Sequence, residues 1–81
     1  MSPIDHVLEH FPGQDATARR LYLRDEQFRS ICEEFHMSIE SLRRFEERSD
    51  APTRPEIDDY RTLLRELGTE IRQYLAAADD G

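Results

Sequence analysis

The chain lacks lysine and tryptophan, and its 81 residues include one cysteine and three glycines. A single cysteine, Cys32, cannot form a disulfide within the chain, so the cytoplasm is the expected location. No apolar run approaches the length of a membrane span or of a signal-peptide core. The sequence contains no glycine-rich phosphate loop and no dinucleotide fingerprint, which excludes the common nucleotide-binding motifs.

Positive charge is also scarce. The chain has 18 acidic residues against 11 arginines, and its net charge is −7. Binding to nucleic acid requires clustered positive charge, whereas these arginines stand among acids, as on solvated helix faces. We therefore expect no nucleic-acid partner and no membrane association. Because the length suits one small domain, residues 1–81 are predicted to fold as a single unit.

Helix start and stop signals divide the chain into four segments. Pro3 behind Ser2 is typical of a first helical turn, and Pro12-Gly13 ends that helix. Asp25 is suited to cap a third helix, although the sequence does not decide whether the chain breaks there. The predicted elements are short helices at about 3–11 and 15–23, a turn at 49–53, and long helices at about 25–48 and 54–78.

The two long segments carry matching apolar seams with the 3-4 spacing of heptads. Folding the chain at the proline turn pairs residues of the two seams, which predicts an antiparallel helical hairpin. We therefore expect an all-α, coiled-coil-like hairpin with the short helices packed on it. The predicted pairs are Phe45 with Ile57, Leu42 with Tyr60, Ser38 with Leu64, Phe35 with Leu67, Ile31 with Ile71, and Phe28 with Tyr74.

One flank of the seam is apolar at the end away from the turn, and a hairpin alone would leave it exposed. It combines Cys32, Ile39, Gly68 and Leu75, and nearer the turn the same flank aligns Glu46 with Arg61. Either the N-terminal helices or a second copy should cover the apolar part. Gly68 inside a helix suggests a close backbone contact, since glycine there costs about 1 kcal/mol relative to alanine. The expected cover is the apolar face of the first helix: Ile4, Val7, Leu8 and Phe11.

Residues 21–75 resemble the YdcH-like family of small bacterial helical-hairpin proteins. The resemblance rests on Asp25-Glu26-Gln27-Phe28-Arg29, on Leu42-Arg43-Arg44-Phe45-Glu46 and on Leu63-Leu64-Arg65-Glu66-Leu67. Further matching segments are Glu33-Glu34-Phe35, Glu56-Ile57-Asp58-Asp59-Tyr60-Arg61 and Glu70-Ile71. It implies a helical hairpin and no functional site.

Two pairs of metal-ligating residues stand four apart on predicted helices. They are His6 with His10, and Cys32 with His36, so all four side chains could bind zinc if the first helix folded over the hairpin. Solvated histidines and a small buried cysteine explain the same residues without a metal. A nucleophilic role for Cys32 is disfavoured, because the adjacent Glu33 and Glu34 raise a thiol pKa.

The sequence therefore favours a non-enzymatic protein–protein interaction or small regulatory module, with no cofactor and no small-molecule substrate. Its partner would be another protein or a second copy of the chain, through the apolar flank. A regulator that docks on a larger protein through a mobile N-terminal helix is a further hypothesis. The alternative from a different class is the helical zinc protein with ligands His6, His10, Cys32 and His36.

Overall fold

The computed structural model describes residues 2–48 and 55–79, and within these ranges it contains four helices and no strand. The helices are α1 (Pro3–His10), α2 (Asp15–Arg24), α3 (Glu26–Glu46) and α4 (Pro55–Asp79). The predicted turn at 49–53 lies outside the described residues. The all-α prediction of a hairpin carrying short helices is confirmed, because α3 packs against α4 and against both N-terminal helices.

Local capping chemistry explains where the first helix begins and ends. Pro3 occupies the first helical position, and the backbone N–H of Ser2 donates to the carboxylate of Asp5 at 2.9 Å. The chain leaves α1 at Phe11 and turns at Gly13, whose φ of 86° lies in the left-handed region. Glycine adopts that conformation without a steric penalty.

The helical conformation is interrupted between α2 and α3 at Asp25. This residue is extended, and its carboxylate accepts a hydrogen bond from the backbone N–H of Phe28 at 3.0 Å, which caps α3. Arg29 bridges the break, since its Nε donates to the carbonyl oxygen of Tyr22 at 3.2 Å. The break leaves Arg24 exposed rather than on the apolar seam.

Two direct contacts across the α3–α4 hairpin agree with the predicted register, whereas a third joins the rings of Phe45 and Tyr60 at 5.6 Å, which belong to neighbouring predicted pairs. The rings of Phe28 and Tyr74 lie 5.7 Å apart between centroids. Glu46 and Arg61, which the register aligns on one flank, form an ion pair at 3.1 Å. The core between the helices is buried and continuous. It contains Phe28, Cys32, Phe35 and Ile39 from α3, and Leu67, Ile71 and Leu75 from α4.

Candidate functional site

Three of the four residues of the apolar flank that we expected to need a cover are buried inside the chain. Cys32 and Leu75 are almost completely inaccessible to solvent, and Ile39 is buried as well. The cover includes α1, which buries Ile4 and Val7 in the same core. Leu8 and Phe11 are half-buried and pack against that core. With α1 in this position, Cys32, Ile39 and Leu75 are not available to a second copy.

The prediction of a close backbone contact at Gly68 is wrong. No heavy atom of the described residues, apart from Gly68's own helix backbone and chain neighbours, lies within 4 Å of the position that a Cβ would occupy. Gly68 instead lines a groove beside Phe11, Leu64 and Arg72. The glycine therefore faces open space, and helix packing does not require it.

Cys32 is placed as a structural residue of the core. Its relative exposure is 0%, and burial together with the neighbouring charge of Glu33 raises the pKa of its thiol to about 12. The thiolate is the nucleophilic and metal-binding form of cysteine, so this position disfavours both roles. The environment agrees with the reading of Cys32 as a small hydrophobic side chain.

A second cluster lies where α1 crosses α3, and it contains His6, His36 and Glu40. One ligand atom from each residue lies within 4.8 Å of the other two. The imidazole rings of His6 and His36 are 5.0 Å apart between centroids. His6 Nε2 lies 3.5 Å from Glu40 Oε1. Residues 36 and 40 share a face of α3 because they are four apart, and the packing of α1 adds His6.

His6 is the unusual member of this cluster. Its relative exposure is 0%, yet neither of its ring nitrogens makes a hydrogen bond within the described part of the chain. The contact with Glu40 is close enough for an ion pair with a protonated imidazole, but it lacks hydrogen-bond geometry. A buried polar group without a hydrogen bond costs about 1–3 kcal/mol. Such an arrangement calls for a physical explanation at this position.

The structure does not bring the four predicted zinc ligands together. His6 and His36 meet, whereas Cys32 and His10 do not belong to the cluster. His10 Nδ1 contacts the carbonyl oxygen of His6 at 2.8 Å, and the His10 ring packs on the edge of Phe35. The sequence reasoning missed Glu40, although its spacing of four from His36 was visible.

The opposite flank of the hairpin carries two grooves between α3 and α4. Among the residues that the structure describes, only those of these two helices line the grooves. The larger groove has a volume of about 810 Å³ and contains Ile31 and Tyr74; the smaller contains Met37 and Leu63. Within residues 2–48 and 55–79, the charged lining residues are Glu26, Glu34 and Glu70, and none is an arginine. We call this surface the open face.

Comparison with known proteins adds no assignment. No protein family matches the chain, and no similar protein was found among curated proteins or solved structures. The resemblance to the YdcH-like family therefore stays a prediction. In the described ranges, none of the helices is both long and apolar enough to cross a membrane.

Proposed function

We propose that this protein is a non-enzymatic interaction module that binds a basic amphipathic helix of a partner protein on its open face. The observation that carries the proposal is the pair of grooves between α3 and α4 that no other described helix covers, lined by apolar side chains together with glutamates. Met37 is 66% exposed and Leu63 is 38% exposed, so apolar side chains are available for contact. An amphipathic helix in a groove between two helices is a recurrent mode of recognition.

Charge selects the class of partner. The lining residues Glu26, Glu34 and Glu70 are exposed, and the whole chain carries a net charge of −7. Basic side chains flanking an apolar stripe would complement this surface and speed the encounter. A second copy that docked with its own open face would set these acids against each other, and like charges across an interface are unfavourable. The partner is therefore a different protein, and we propose that both act in the cytoplasm.

The N-terminal helix has a structural role in this proposal. Val7 is 0% exposed in the core beside Cys32, so α1 closes one flank and leaves the other for the partner. A regulator that docks through a mobile α1 would have to expose this core. The open face requires no such rearrangement.

Site-specific photocrosslinking tests the proposal. Benzoylphenylalanine replaces Leu63 in the smaller groove, and in a matched control it replaces Ala76, which is exposed and lines neither groove. After irradiation in native lysate, crosslinked peptides are identified by mass spectrometry. We expect position 63, and not position 76, to capture a segment whose sequence is basic and amphipathic with helical spacing.

Three results would reject the proposed function. They are crosslinks from position 63 to copies of this chain alone, equal capture from position 76, and no capture from position 63. Sedimentation equilibrium of the purified chain gives an independent check. We expect a monomer at every concentration, because the acidic open face disfavours self-association.

A further inference from the structure

We propose that His6, His36 and Glu40 form a binding site for a divalent transition-metal ion of the zinc type. This inference is independent of the open face, which lies on the other flank of the hairpin. It rests on the convergence of three ligand atoms and on the buried imidazole of His6, whose nitrogens make no hydrogen bond within the described residues.

The geometry of the cluster is close to that of a coordination shell. Zinc binds nitrogen and oxygen at about 2.0–2.2 Å in tetrahedral sites, which separates neighbouring ligand atoms by about 3.4 Å. His6 Nε2 and Glu40 Oε1 already lie 3.5 Å apart. A ring nitrogen of His36 lies within 4.8 Å of a ligand atom of each of the other two residues, so the three side chains would draw closer around a bound ion.

Burial explains why a ligand belongs there. His6 is 0% exposed, and both its ring nitrogens lack hydrogen bonds within the described residues. Nδ1 of His36 is buried and equally without one. A metal ion would satisfy a nitrogen of each ring, and the carboxylate of Glu40 would offset part of the ion's charge. The same helical spacing of ligands, four residues apart, is used in helix-borne zinc sites.

The donor set determines the class of ion. Two imidazoles and one carboxylate suit zinc, copper, nickel and iron, whereas magnesium and calcium prefer oxygen ligands alone. The side chain of Glu40 is 37% exposed, which gives the ion a path from solvent and leaves room for a water ligand. Arg43 Nη1 lies 3.8 Å from Glu40 Oε1 and competes for the same carboxylate.

A metal at this position would join α1 to α3, because His6 and the other two ligands belong to different helices. Any ion that binds the folded chain and not the unfolded chain raises the melting temperature. Metal binding and the docking of α1 are therefore expected to be coupled.

Zinc titration of the untagged, metal-stripped full chain by calorimetry tests the site. We expect one equivalent to bind, with a rise in melting temperature. His36→Gln and Glu40→Gln should each weaken the affinity at least about 10-fold, since even the loss of outer-shell partners of a metal site costs about 10–100-fold. Neither side chain belongs to the fully buried core, so these two variants should fold, as circular dichroism will check.

Two matched variants separate the site from general histidine binding. His10 lies on α1 with His6 but outside the cluster, so His10→Gln should bind zinc like the unmodified chain. Arg43→Gln removes the competing cation and should bind at least as tightly. The proposal fails if no saturable binding occurs, if Glu40→Gln keeps full affinity, or if His10→Gln loses as much as His36→Gln. Equal affinity for magnesium would also overturn it.

Discussion

The aromatic rings of Phe28 and Tyr74 meet at 5.7 Å across the hairpin, near the start of α3 and the end of α4. Phe28 is completely buried, whereas the hydroxyl of Tyr74 reaches the surface and donates to Gln27 Oε1 at 3.0 Å. The contact joins residues far apart in the chain, so it depends on the register of the whole hairpin.

Truncation of the buried partner should therefore be much more damaging than loss of the hydroxyl. Phe28→Ala is expected to lower the free energy of unfolding by about 3–5 kcal/mol. Tyr74→Phe should cost at most about 1 kcal/mol, because its hydrogen bond is exposed. Urea unfolding followed by circular dichroism measures both. If Phe28→Ala prevents folding, Phe28→Leu provides a milder variant. A Phe28 variant that cost no more than Tyr74→Phe would contradict the burial of the Phe28 ring.

Capping at Asp25 should contribute measurably to stability. Asp25→Ala removes the acceptor for the Phe28 N–H and should cost about 0.5–2 kcal/mol, whereas Asp25→Asn keeps an acceptor and should cost less. Asp15 is the first helical residue of α2 and not its cap, so Asp15→Ala should lose only a helix-dipole interaction of about 0.3–1 kcal/mol. Thermal unfolding ranks the three variants, and equal effects of Asp25→Ala and Asp25→Asn would rule out the side-chain cap.

Alkaline pH should destabilise the fold through Cys32. The thiol has a pKa of about 12 in the folded chain, against a reference value of 9.0, because burial disfavours the thiolate. Above pH 9 the unfolded chain releases this proton while the folded chain retains it until about pH 12. The unfolded state then binds fewer protons, so stability falls with rising pH, by up to about 1.4 kcal/mol per pH unit. Below pH 9 the thiol is protonated in both states, so its full contribution to the free energy of unfolding is present.

Cys32→Ala isolates this effect. The variant should be less stable at neutral pH because of the lost packing, yet its free energy of unfolding should decline less steeply between pH 9 and 10.5. Urea unfolding at several pH values gives both slopes. Parallel slopes would mean that the thiol is not protected from ionisation in the folded chain.

Replacing Gly13 or Gly68 by alanine should change the free energy of unfolding in opposite directions. Gly68 lies within α4 with open space at its Cβ position, so Gly68→Ala should raise the free energy of unfolding by about 0.4–1 kcal/mol. Gly13 has a φ of 86°, where a side chain is strained, so Gly13→Ala should lower the free energy of unfolding by about 1–2 kcal/mol. Denaturant unfolding tests the pair, and a destabilising Gly68→Ala would indicate a contact at that face.

Most of the hairpin could be predicted because its signals repeat along the chain. The register that aligns Glu46 with Arg61 follows from heptad spacing on both sides of one turn, and the structure pairs them. The sequence does not decide whether the helix breaks at Asp25, because aspartate caps a new helix but is also tolerated within a continuous one. In the structure its carboxylate accepts the Phe28 N–H, which marks a helix start. The prediction of a backbone contact at Gly68 was wrong, since the sequence does not distinguish an exposed helical glycine from one that contacts another backbone.

The sequence by itself determined the helices, the antiparallel seam and the apolar flank that had to be covered, since these depend on spacing and on capping residues within each segment. Only the tertiary structure decided that α1 brings His6 to Glu40 at 3.5 Å and leaves His10 and Cys32 outside that cluster. The reason is geometric. Periodicity fixes which face of α1 turns inward, but the position of that face along α3 depends on how the two surfaces pack.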